Sequence, residues 1–200
     1  MSKKIGLGCL ALGLVVAFAV AAFGVSAYNG LVSLDQAVQA QWAQVENVYQ
    51  RRADLVPNLV ETVKGAAAFE KDTFTAVTEA RSKVGQINAG GIANDPQAFA
   101  KFQQAQDGLS SALSRLMVVV EKYPDLKATQ NFRDLQAQLE GTENRIAVER
   151  MRFNETAQAF NTKRMSFPTV MIAGFFGSRF NEKVYFKAQA GAETAPAVKF

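Results

Sequence analysis

Residues 129–166 read TQNFRDLQAQLEGTENRIAVERMRFNETAQAFNTKRMS, with Phe132, Leu139, Ile146, Phe153 and Phe160 at strict seven-residue intervals. Seven residues are close to two helical turns, so these five side chains fall on one stripe, with charged and amide residues filling the remaining faces. The pattern predicts one long amphipathic helix. Phe167-Pro168 ends it, because a proline disfavours helical geometry in the residue before it.

Working upstream, the same period recurs. Phe99, Gln106, Leu113 and Val120 alternate with Phe102, Leu109, Leu116 and Tyr123, predicting a second helix that Tyr123-Pro124-Asp125 stops. Its start is marked by Asp95, a predicted N-cap, and Pro96 at the first helical position. Residues 85–96, GQINAGGIANDP, have the composition of a connection. The first helical region covers 32–87, with Trp42, Tyr49, Val56, Val63, Val77 and Val84 on one stripe beside Val38, Val45, Leu59, Ala66, Ala80 and Ile87. Pro57 and Gly65 are its two weak points, so it is one bent helix or two. At ~1.5 Å per residue the three regions would measure about 84, 42 and 57 Å, a poor match in length. Splitting the first gives four helices. The expected fold is therefore all-α: an N-terminal transmembrane helix followed by an elongated antiparallel bundle of about four helices. Downstream, the apolar stretch 169–177 either caps the bundle end or touches a membrane, and residues 188–200 read as a disordered tail.

The N-terminal run IGLGCLALGLVVAFAVAAFGVSAY occupies residues 5–28, bounded by Ile5 and Tyr28, without charge or proline. It is long enough to cross a hydrocarbon core of ~30 Å as a helix, which gives an anchor over 1–28 and a helical domain over 29–187. Lys3 and Lys4 precede it, and the first basic residue after it is Arg51. By the positive-inside bias the N-terminus is cytoplasmic and the domain faces outside or the periplasm. Two alternatives stand beside the anchor: a cleaved signal peptide, with small residues at Val25-Ser26-Ala27, and a lipoprotein at Cys9.

The chain has 22 basic and 18 acidic residues, one cysteine and no histidine. So even a balance points away from nucleic acid as a partner. Without histidine, histidine-dependent triads, HExxH zinc sites and Glu-x-x-His di-metal sites are excluded. No glycine loop for phosphates and no G-x-S-x-G elbow occurs. No cofactor or metal is expected.

Polar residues on the apolar stripes are the main candidates. Arg52 and Glu70 occupy core positions of the first region, and Glu143, Arg150 and Asn154 lie beside the third seam. Buried charges require partners, so these five are expected to form an internal network that fixes helix register. The functional alternative is an anion or partner contact around Arg51 and Arg52, although adjacent helical residues point about 100° apart. Glu140 and Glu143 share a helix face, as an acid/base or metal pair would; a solvated face is the plainer account. Trp42, at helical spacing, is expected in the core.

Two blocks resemble a known family. Residues 28–65, YNGLVSLDQAVQAQWAQVENVYQRRADLVPNLVETVKG, are similar to the opening of the bacterial LemA family, and residues 123–168, with LEGTENRIAVER, to its other long block; AGFFG and YFKA resemble its ending. The resemblance implies an N-terminally anchored helical bundle in the bacterial inner membrane and supplies no reaction or catalytic residue. Arg51, Arg52, Asp54, Pro57, Asn58, Glu140 and Glu143 match its recurrent motifs. Where many members carry an aromatic and a histidine after the position of Gly65, this chain has Ala66, Ala67, Ala68 and Phe69. The family has also been read with its short N-terminus outside, opposite to the charge bias. Three functions are expected in this order: a membrane-tethered, self-assembling scaffold; an adaptor or sensor bundle binding an envelope protein or a small anionic ligand; and an enzyme built on carboxylates or on Tyr49 and Tyr123.

Overall fold

The computed structural model describes residues 2–65, 71–87 and 91–187, with side chains at positions 8 and 10 and from 12 onward within these segments. Glu70, Ala66 and the tail over 188–200 lie outside the described residues. The elements are α1 (Ser2–Lys64), α2 (Lys71–Gly85), a 3₁₀ turn (Ile92–Asn94), α3 (Pro96–Val120), α4 (Pro124–Lys127), α5 (Gln130–Met165), α6 (Thr169–Phe175) and a second 3₁₀ turn (Gly177–Phe180). No strand occurs among the described residues.

Helix α1 runs without a break from the apolar segment into the amphipathic region. The helix passes through Gly30, where the cost of a glycine is only about 1 kcal/mol, and through Pro57, which is exposed. Val56 and Leu59 on either side of that proline are buried, and their packing offsets the lost backbone bond. Helix α1 ends at Lys64 and α2 begins at Lys71, so the described residues of the expected span 32–87 lie in two helices.

The chain divides into two compact units. The first comprises residues 1–40 and 155–183. Ala27, Leu31 and Val38 from α1, Ala157 and Phe160 from α5, Ala173 from α6 and Phe180 form its buried apolar positions. The second comprises residues 41–154 and 184–200. There Val56, Leu59 and Val63 of α1 meet Phe74 and Val77 of α2, Leu109, Leu113 and Leu116 of α3, Leu126 of α4, and Phe132 and Leu139 of α5. Asp95 caps α3 by accepting from the backbone N–H of Gln97 (2.8 Å) and Ala98 (3.1 Å), with Pro96 at the first helical position. Gly91, at φ 78°, makes the left-handed step into the 3₁₀ turn before it. Every member of the α5 stripe, Phe132, Leu139, Ile146, Phe153 and Phe160, is buried.

Candidate functional site

In the second unit, Tyr49 and Arg52 stand one turn apart on α1 and face α3 and α5. Arg52 is 1% exposed. Its Nη1 donates to Ser110 Oγ at 2.6 Å and to Glu143 Oε1 at 2.9 Å, and its Nη2 donates to the Gln106 carbonyl at 3.1 Å and to the Gln106 side-chain oxygen. The guanidinium also sits 5.1 Å from the centre of the Tyr49 ring. Three helices are thereby tied to one cation. Only Nε lacks a hydrogen-bond partner. Burial pushes the Tyr49 phenol above its ordinary value; the Arg150 and Arg52 charges oppose the rise, and Asp107 and Glu143 add to it.

Arg51, the next residue along, is exposed. The two adjacent arginines thus lie in different environments, Arg51 exposed and Arg52 buried. Arg150 and Asn154 serve a different purpose from Arg52. Asn154 Nδ2 donates to the Phe186 carbonyl at 3.0 Å while its Oδ1 accepts from the Phe186 N–H at 2.9 Å. Arg150 donates to the Lys187 carbonyl at 2.8 Å, with its guanidinium 4.7 Å from the Phe186 ring centre. These contacts fix an extended segment that inserts Phe186 among Phe99 (4.7 Å between ring centres), Phe153 (5.5 Å) and Trp42 (6.1 Å). Trp42 is a core residue of this aromatic cluster. Glu140 is exposed and accepts from Gln136, whereas Glu143 accepts from Arg52. Among the described residues no group of three or more His, Cys, Asp or Glu side chains could hold a metal ion.

The first unit carries a second buried ion pair that sequence reasoning missed. Lys183, 1% exposed at its side chain, binds Asp35 and lies 4.6 Å from the Phe160 ring centre. Its backbone is held by Asn161, which donates to the Lys183 carbonyl at 2.9 Å and accepts from its N–H at 2.8 Å. Asp35 did leave a signal, since it stands four residues after Leu31 on the buried stripe of α1. Lys183 left none, because extended chain has no helical period.

The same unit contains the most anomalous surface of the molecule. On α1, Leu10, Leu12, Leu14, Val15, Val16, Phe18, Val20 and Val25 are each more than half exposed. The face is apolar all round, unlike the one-sided stripe of a helix that packs on a soluble core. Among the described helices α1 alone is long and apolar enough to cross a membrane.

A family model described as LemA family matches residues 41–200. Among curated relatives, the magnetosome protein MamQ of Magnetospirillum gryphiswaldense is 27% identical over 184 residues, covering 84% of this chain and 67% of the relative. The magnetosome protein MamQ 2 of Paramagnetospirillum magneticum matches with the same identity and the same coverage, 84% and 67%. Protein LemA of Metamycoplasma hominis is 24% identical over 145 residues, covering 72% of this chain and 63% of its own length.

Proposed function

The chain belongs to the LemA family, and from that membership we propose that it is a non-catalytic, membrane-tethered helical protein that assembles with copies of itself into a scaffold at the membrane. The observation that carries the tether is the row of exposed apolar side chains on α1 from Leu10 to Val25, among the described residues. Left in water, that many large side chains would drive aggregation; in a bilayer they meet the solvent they match. Lys3 and Lys4 ahead of the span favour a cytoplasmic N-terminus and an extracytoplasmic bundle in the inner membrane.

A scaffold needs a rigid register more than it needs a reactive group, and the Arg52 cluster fits that demand. All four terminal N–H groups of Arg52 are engaged by protein partners, so the cation serves as an internal fastener across α1, α3 and α5. The names of the curated relatives, two magnetosome proteins and a LemA protein, carry no reaction. Self-association is supported by apolar side chains left on the outer faces of the second unit: Val118 on α3, and Val148 with Met151 three residues on along α5.

Two differently tagged full-length copies, co-expressed and extracted in mild detergent, test self-assembly. Capture of one tag is expected to bring the other with it; tags that never co-purify would remove the scaffold account. Protease added to spheroplasts is expected to cut the bundle, and a bundle left intact would reverse the orientation.

A further inference from the structure

Helix α6 lies against α1 inside the apolar run. A Cβ placed on Gly24 would meet Ile172 Cδ1 at 3.9 Å, so the Ile172 side chain reaches α1 at that position. One turn further along α1, the Tyr28 ring packs on Phe176 at 4.7 Å and Phe180 at 5.5 Å between centres, and the Arg179 guanidinium is 5.7 Å from the Tyr28 ring. The other side of α6 and its flanks is bare: Phe167 is 81% exposed, Met171 65% and Phe175 85%.

We propose that residues 167–176 form a second membrane contact, an interfacial wedge seated beside the emerging end of α1, with Phe167, Met171 and Phe175 entering the acyl chains of the leaflet from which α1 emerges. The proposal rests on α1 crossing the bilayer. Tyr28 closes the apolar run and the polar Asn29 follows it, which sets Tyr28 at the headgroup level where tyrosine rings concentrate. Gly24 lies one turn deeper, about 6 Å by helical rise. Ile172 touches that position, so α6 shares its depth, within the ~5–10 Å to which interfacial helices sink their apolar faces. A lipid occupant follows from this shared depth, since a soluble partner would have to enter the bilayer to reach the same side chains. Arg179, held beside Tyr28, is placed to meet lipid phosphates, as basic residues at such boundaries do.

Nitroxide labels on the full-length chain test this, using Cys9→Ser as background and single cysteines at Leu14, Gln36, Met171 and Phe175. The protein is reconstituted in vesicles of phosphatidylcholine and phosphatidylglycerol, and collision with oxygen is compared with collision with a water-soluble nickel chelate. Leu14 reports the span, and Gln36, exposed on α1 beyond Tyr28, reports water. Labels at Met171 and Phe175 are expected to see oxygen strongly and nickel weakly, at a depth of roughly 5–10 Å. A lipid signal at Leu14 with nickel access at Phe175 would overturn the wedge and leave the span intact. Low collision with both reagents at Phe175 would mean that protein, such as a second copy, covers the patch, and would also overturn it. Nickel access at Leu14 would remove the span and the wedge together.

Discussion

Arg52 Nη1 lies 2.9 Å from Glu143 Oε1, yet the two side chains differ in exposure: 2% for the arginine and 43% for the glutamate. The cation is buried and its counter-charge reaches water. Losing either partner therefore has unequal consequences. Arg52→Leu strands the buried Gln106 side chain without its donor, which costs about 1–3 kcal/mol. Glu143→Gln keeps an acceptor at a solvent-screened position and should cost about 1 kcal/mol or less. Chemical unfolding of the full-length variants in detergent checks the order. Unchanged stability in Arg52→Leu would end its role as a fastener.

The Asn154 amide holds both backbone groups of Phe186. Asn154→Ala removes both bonds, and the Phe186 amide proton should then exchange with deuterium at least about tenfold faster, the equivalent of ~1.4 kcal/mol. Asn154→Asp retains an acceptor for the N–H but no donor for the carbonyl. It should restore protection only in part, and full protection in the alanine variant would show that Phe186 is held by its ring contacts alone.

Glu46 and Tyr49 give pH dependences of the same sign. Burial raises the Glu46 carboxyl above its ordinary 4.5, against a hydrogen bond from Trp42. Between that ordinary value and the folded one, the folded chain holds the proton longer than the unfolded chain. Stability from this group is thus fully present below 4.5 and is lost as pH rises through the folded value. Glu46→Gln should remove this decline. For Tyr49, raised above 10.0 chiefly by burial, the same loss comes on the alkaline side, and Tyr49→Phe should flatten the stability curve there. Variants whose curves parallel the parent would contradict the assignments.

The apolar run should tolerate charge badly. Leu14→Arg with Phe18→Arg puts two cations on one lipid-facing side of α1, at about 2.5–3.5 kcal/mol each near the centre of a span. Alkaline carbonate should leave the parent chain in the membrane pellet and release the double variant. Release of both would count against a spanning helix.

Much of the fold was legible because helices announce themselves by period. The five-member stripe of α5 and the Asp95-Pro96 start of α3 are written in the sequence, since each depends on local spacing. Pro57 pointed to a break that α1 does not make. There the packing of Val56 and Leu59 outweighs local propensity, and propensity alone cannot weigh it. The candidate site was legible in part: Arg52 and Glu143 stand out as charges on or beside apolar stripes. Their separation from Arg150 and Asn154, which hold the chain around residues 186–187, was not. That extended segment is positioned by side-chain amides on α5. Its traces in the sequence are the YFKA resemblance and Asn154 and Asn161, each one residue after a stripe phenylalanine.

The central claim is self-assembly at the membrane, and the mass and composition of the full-length chain crosslinked in its own membrane, then extracted in mild detergent, test it most directly. A discrete multiple of one chain is the predicted result. A mass of one chain, or a second protein in fixed ratio, would contradict it.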